Sequence, residues 1–430
     1  MSKTNFSAPS KAIPFTPYQK IVIALLALTQ FTVVLDFMVM SPLGDMLMKS
    51  MSLTTSQFGF AVSGYAFSAG ISGLLTAGFA DKFDRKKLLL FFYIGFIGGT
   101  FICSITTSYH MLVVARIVTG LFGGVIGSVS MAIVADLFDI DHRGRVMGYM
   151  QMGFGASQVL GIPIGLLIAN KWGWQSPFLM IVFLATLVCI TIVFKLQPVN
   201  KHLQVKQQDR SAFKHLWHTI SNQNYRVGFL ATAMLSLGGF MMMPWGSAFA
   251  INNLHVTQFQ LPILFMVSGI SSLIVMPLIG KLSDKVDKFK IFTIAALWMI
   301  VMVVVYTHLT PVALPIILIM NVAFMIGIMS RMVPAMALTT SLPKMQDRGA
   351  YMSISSSLQQ IAGGVAAAAG GFIIVQKTKA SPLEHYDTLG WVIVVLTLIS
   401  IVMVYRVSKI VKAQQKPAPE MTKLATTVKG

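Results

Sequence analysis

Long apolar runs recur along the whole chain, and they constrain its fold more than any other feature. A helix crossing a bilayer core needs roughly 20 consecutive apolar residues. Twelve stretches meet that length, at approximately 20–42, 57–79, 87–107, 110–137, 145–169, 175–195, 225–250, 259–280, 290–308, 311–338, 349–376 and 388–408. The third and fourth nearly touch at Thr107–His110, as do the ninth and tenth at His308–Pro311. A single helix of about 40 residues is too long for one crossing, so each pair reads as two spans. With only 11 % of its residues charged, the chain cannot clothe a water-facing surface, since soluble proteins average about 25 %. The predicted class is an all-α membrane protein of twelve transmembrane helices lying in the lipid bilayer.

The net charge of +19 would suit nucleic-acid binding if it lay on one face of a domain. It lies instead in short loops between apolar runs, which excludes nucleic acid as a partner. If the N-terminus is cytoplasmic, inner segments hold 27 of the 33 basic residues and outer loops hold four, namely Lys49, Lys171, Lys377 and Lys379. That asymmetry predicts cytoplasmic termini in a multi-pass plasma membrane protein, the inner membrane if the source is Gram-negative. Residues 1–19 form a polar N-terminal segment without the features of a signal peptide, so the first run is expected to be a retained span. The polar, basic stretch 197–224 divides two six-helix bundles, 20–196 and 225–410, and 411–430 reads as a disordered cytoplasmic tail.

Internal repetition supports the division. Asp81, Lys82, Asp84, Arg85 and Lys86 follow the second span, and Asp284, Lys285, Asp287 and Lys288 follow the eighth, 203 residues later. Arg143-Gly144 opens the fifth span and Arg348-Gly349 the eleventh, 205 residues apart. At these residues the sequence resembles the major facilitator superfamily, whose loop signature reads G-x-L-a-D-R-x-G-R-K. Ala77 replaces its first glycine and Asp84 its second; Asp287 does the same in the second copy. Leu35-Asp36 in span one, Arg116 to Gly120 in span four, and Gly161-Ile-Pro163-Ile-Gly165 in span five look like the twelve-span drug:proton antiporters and their sugar-efflux relatives. The last is a variant that matches the exporter motif G-P-x-x-x-G-G only in part. The resemblance implies two pseudo-symmetric six-helix bundles and efflux of a small organic solute, such as a drug or sugar, against protons. Import of a nutrient by a facilitator or symporter remains open.

Asp36 is the one acidic residue deep in a span. An ionised carboxylate in lipid is costly, so it needs a partner or a proton. Asp36 and Arg116 sit at similar depth on spans running in opposite directions, which makes an ion pair possible. The family resemblance implies the same pairing. The pair either couples proton entry to movement or simply locks two helices. Arg331, in span ten, has no deep carboxylate left to pair with. It either reaches the cavity, favouring substrates with an anionic or strongly polar group, or snorkels to the interface.

Asp81, Lys82, Arg85, Asp136, Arg143 and Asp284 are candidates for a conformational latch, with plain positive-inside charge as the plainer reading. Gly161, Pro163 and Gly165 permit close packing and a bend. Gln30, Gln151, Gln158, Gln359, Gln360 and Trp245 are candidates for the substrate cavity. The chain has no phosphate-binding loop, no metal-ligand cluster and no catalytic constellation. No cofactor, no metal and no enzyme activity is expected, and a monomer is the expected working unit.

Overall fold

A computed structural model describes residues 15–76, 80–200, 203, 212–344 and 346–415. The first half is built from α1 (Pro17–Val39), the short α2 (Gly44–Met51), α3 (Thr55–Thr76), α4 (Arg85–Ile105), α5 (Tyr109–Leu137), α6 (Ile140–Ala156), α7 (Ile162–Trp172) and α8 (Ser176–Lys195). The second half has α10 (Gln223–Phe240), the short α11 (Gly246–Asn252), α12 (Leu261–Lys285), α13 (Lys288–Thr307), α14 (Leu314–Thr340), α15 (Arg348–Ile373) and α16 (Tyr386–Gln415). Between them lies α9 (Ala212–Ser221). Counting α6–α7 and α10–α11 as one crossing each gives twelve, in two bundles of six. The ends of the bundle that carry α9 and residues 17 and 415 form the linker face; α2 and α11 sit at the opposite, distal face.

Local chemistry sets the helix starts. Thr16 and Gln19 form a reciprocal capping box at α1, with Pro17 in the first turn. Asp84 accepts from the Lys87 N–H at 3.1 Å and caps α4; Asp287 accepts from the Lys290 N–H at 3.1 Å and caps α13. The two acids that replace a glycine of the loop signature therefore do the same job in each half. Asp287 also meets Lys412 at 2.6 Å, and that hydrogen bond holds its carboxyl below the usual range although burial opposes it.

Many hydroxyls inside the spans bond back to carbonyls one turn earlier, as Thr29 does to Leu25, which satisfies them without water. Glycines set the closest helix approach. A side chain on Gly120 or Gly124 of α5 would run into Tyr65, Ser68 and Ala69 of α3.

Among the described residues, eleven helices are long and apolar enough to cross a membrane, and α15 is not one of them. It is rich in Gly, Ala and Ser because one face lies on α3 of the other half rather than on lipid. Gly70 of α3 sits over Ser357 and Ile361, and Gly59 over Ala367 and Gly371.

Several expected boundaries move. The first span ends at Val39, and its expected last residues turn into α2. The seventh span breaks after Phe240 into a 3-10 turn at Met243–Trp245 before α11. The fifth carries a π-turn at Ser157–Gly161 just before Pro163, where a helix interior would lose a backbone bond. The linker 197–224 contains α9, a basic amphipathic turn of helix whose Leu216 packs against Tyr225 and Tyr351. Helix α16 runs on to Gln415, so residues 411–415 belong to it and not to a loose tail.

Candidate functional site

Helix α1 brings Asp36, and α5 brings Arg116, into one dry place inside the first half. Asp36 is 0 % exposed and Arg116 1 %. Arg116 Nη1 donates to Asp36 Oδ2 at 2.8 Å, and the Thr100 hydroxyl of α4 donates to Oδ1 at 3.2 Å. The guanidinium stacks over the Tyr65 ring of α3 at 4.5 Å, while its Nε is buried without an acceptor. Four helices thus converge on one ion pair. Charges this deep are held only by good geometry and added hydrogen bonds, and each partner depends on the other.

Phe37, next in sequence to Asp36, turns away from the pair. Its ring lies 5.2 Å from Tyr65 and 6.1 Å from Phe240 of α10, across the junction of the halves. Phe37 and Phe240 wall a small cavity with Met40, Ser41, Met243 and Gln360. The lining is apolar apart from a hydroxyl and one amide, and in this state the cavity is too small for an organic solute, so it marks where the halves would part. Gln30, Gln158, Gln359 and Gln360 are half-buried, and none of their amides has a hydrogen-bond partner among the described residues. Gln151 is exposed.

Trp245 departs from its expected place. It is 0 % exposed, packed on Phe58 and under Gly370 and Gly371, and it seals the two halves together instead of lining the cavity. The break after Phe240 redirects the chain and buries the indole.

The hydrogen bonds that join the halves cluster toward the distal face. Asn252 donates to Asp45 Oδ1 at 2.6 Å, and Lys49 bonds both Asp45, at 2.9 Å, and Asn252, at 3.0 Å. Ser247 donates to the Ser41 carbonyl, and the Ser41 hydroxyl to the Met243 carbonyl. Ser63 reaches the Gly364 carbonyl at 2.8 Å, Thr55 the Ile374 carbonyl at 2.7 Å, and Asn170 the Gln258 carbonyl at 2.9 Å. This seal escaped the sequence reading because Asp45 and Lys49 looked like ordinary loop charges. Their spacing of four on a short helix was the available signal.

At the linker face, Arg85 pairs with Asp136 at 3.2 Å and bonds the Ala80 carbonyl. Arg143 bonds the carbonyls of Ala135, at 2.6 Å, and Phe138, at 3.0 Å, closing the end of α5. These three form one cluster. Lys82 is exposed with no hydrogen bond or ion pair among the described residues, which fits plain basic charge. The side chain of Asp81 lies outside the described residues. Asp284 is corrected: it is exposed and has no partner among the described residues, because α12 continues through it and points it at solvent. Its neighbour Asp287 carries the local structural role.

Also missed was Asp347, which accepts from His215 of α9 at 3.0 Å and from the Tyr225 hydroxyl at 2.9 Å. Burial alone would raise its pKa, but the bonds from His215 and Tyr225 outweigh it and hold the carboxyl below its usual range.

Gly161 lies against Leu35, and Gly165 faces Val39 and Pro177, so the small residues let this segment approach α1 beside Asp36. Arg331 is 4 % exposed, in the second half between α10, α14 and α16. It does not snorkel.

With this geometry in view, the likeness to known proteins is informative. The sequence profile of the Major Facilitator Superfamily matches residues 26–367. The chain is 23 % identical to the uncharacterized MFS-type transporter YceJ of Bacillus subtilis over 60 % of this chain and 66 % of that relative, slightly under two thirds of its length. It is 22 % identical to the uncharacterized MFS-type transporter YbcL of the same organism over 87 % of this chain and 94 % of the relative. Multidrug resistance protein 2 of Bacillus subtilis is 24 % identical over 63 % and 68 %. Among solved structures, a bacterial homologue of the human lysosomal transporter Spinster, inward-facing and unoccupied, superposes with TM-score 0.74 at 15 % identity, over 94 % of this chain and 100 % of that one. By the matched profile over most of its length, and by a twelve-helix fold that these structures share, the chain belongs to the Major Facilitator Superfamily of membrane transporters.

Proposed function

We propose that this chain is a proton-coupled exporter of a small organic solute, working as a monomer with its linker face in the cytoplasm. One observation carries the reading: a sealed carboxylate–guanidinium pair stands one residue from a cavity wall that spans both halves. A proton arriving at Asp36 neutralises the carboxylate and frees Arg116. The desolvated guanidinium must then move toward another acceptor, and Tyr65 and Phe37 move with it. Solute bound between the halves feels that movement directly. The multidrug name of one relative supports export, and the basic residues at the linker face support the orientation.

The hydrogen bonds at the distal face hold that side closed in this state. The Arg85–Asp136–Arg143 cluster is the latch that tightens when the linker face closes. Asn252→Ala removes the amide that ties α11 to Asp45 and Lys49. A hydrogen bond to a charged group is worth about 1.5–3 kcal/mol, so the closed–open balance shifts at least about tenfold. A Met243→Cys reporter will then react several-fold faster with a membrane-impermeant thiol reagent added at the distal face. An unchanged rate would show that Asn252 does not hold the seal.

Proteoliposomes test the function as a whole. An imposed proton gradient of one pH unit is worth 1.36 kcal/mol per proton, so exchange of one proton per solute builds about a tenfold concentration ratio. A ratio that ignores the gradient sinks the proposal. Movement of solute and protons in the same direction would establish a symporter instead.

A further inference from the structure

Arg331 is a buried guanidinium with nothing negative beside it. Nη1 makes a long 3.4 Å contact with the Thr397 hydroxyl of α16, its only hydrogen bond among the described residues. The remaining nitrogens have no partner there, and unlike Arg116 Nε they are not closed off on every side. The two nearest positions on α10 are glycines. A side chain on Gly238 would stand 3.9 Å from Nη1, and one on Gly239 3.9 Å from Nη2. Both sites are bare, so the planar edge of the guanidinium faces backbone and space. Phe240, the next residue, is a cavity wall. An arginine left this way carries desolvation that no partner returns, and a chain that only needed to fill volume would carry leucine or methionine here.

We propose that Arg331 is the recognition point for an anionic group on the transported solute, whose apolar body packs against Phe240 at the junction of the halves. The solute class is therefore an amphipathic organic anion: a carboxylate, sulfonate or monophosphate ester with an aromatic or alkyl body. The guanidinium presents two parallel N–H groups to such an anion, a geometry that ammonium cannot copy. This proposal rests on the transporter reading above but not on proton coupling, because recognition precedes any movement.

The test is equilibrium binding to purified protein in detergent, without any gradient. Each acid is paired with its neutral twin: 1-naphthoate with 1-naphthamide, octanoate with octanamide, and naphthyl phosphate with naphthol. A charge-assisted bidentate contact predicts that the acid of at least one pair binds about tenfold tighter or more. In Arg331→Gln that preference vanishes while the neutral twin keeps its affinity, and Arg331→Lys keeps part of it. The Arg331→Gln protein without ligand melts no lower than the wild type, because a lone buried charge has been removed. That readout separates recognition from a structural role. Asp36→Asn keeps the preference, so a failure of proton coupling leaves this result intact. The proposal is overturned if no acid is preferred over its twin, if the preference survives Arg331→Gln, or if Arg331→Gln unfolds the protein.

Discussion

Asp36→Asn protein in proteoliposomes will exchange solute down a gradient but accumulate none when a proton gradient is imposed. The ratio of about ten per pH unit that the proposed coupling gives the wild type falls to one. Asparagine keeps the shape of aspartate, and its amide can still meet Thr100 and Arg116, so the α1–α4–α5 packing survives. What it loses is the ability to take and release a proton within the membrane. With position 36 permanently neutral, Arg116 is released for good, no proton can switch it between held and free, and the halves rock only when solute binding favours it. Solute–solute exchange therefore continues, while uphill movement stops. The two measurements together separate coupling from locking. If the pair merely pins two helices, Asp36→Asn accumulates solute at the wild-type ratio, and the proton moves elsewhere. Asp45 is then the next candidate, being the other buried carboxylate near the junction of the halves.

Much of this arrangement was legible in the chain itself, and the reasons differ by element. Span count and bundle division follow from hydrophobic length, which bilayer thickness fixes. The Asp36–Arg116 contact was readable because a charge in lipid has few options, and depth along two helices limits the partners. Cavity contents were less legible. Trp245 looked like a cavity aromatic, yet a break in α10 that no single residue announces turns it into the seal. Asp45 and Asn252 pass for loop polars, and Ser247 for an ordinary span hydroxyl, until the halves meet, because contacts between segments about 200 residues apart leave no local period. Asp284 misled in the opposite direction. Repetition placed an acid at the matching position, but the fold assigned the local work to Asp287, one turn away. A repeated motif marks a shared backbone, and which of its charges finds a partner depends on the neighbours each half supplies.

Arg116→Gln will destabilise the protein by about 3–5 kcal/mol near neutral pH, the usual cost of stranding one member of a buried pair. The loss has a pH signature. In that variant the Asp36 carboxylate is buried without a counter-charge, while in the unfolded chain it is solvated. Folding then favours the protonated acid, so stability is retained in acid and falls as pH rises. The double variant Asp36→Asn/Arg116→Gln removes both charges and leaves two neutral amides. Its stability recovers a large part of the loss, since no ionised group is left buried without a counter-charge. Transport does not recover with it. Thermal unfolding of the four proteins across pH, beside uphill accumulation, decides the matter. A small cost in Arg116→Gln with no pH slope would mean that water or another cation reaches Asp36. Recovery of stability without recovery of coupling is the result expected if the pair was retained for its switching and not for its strength.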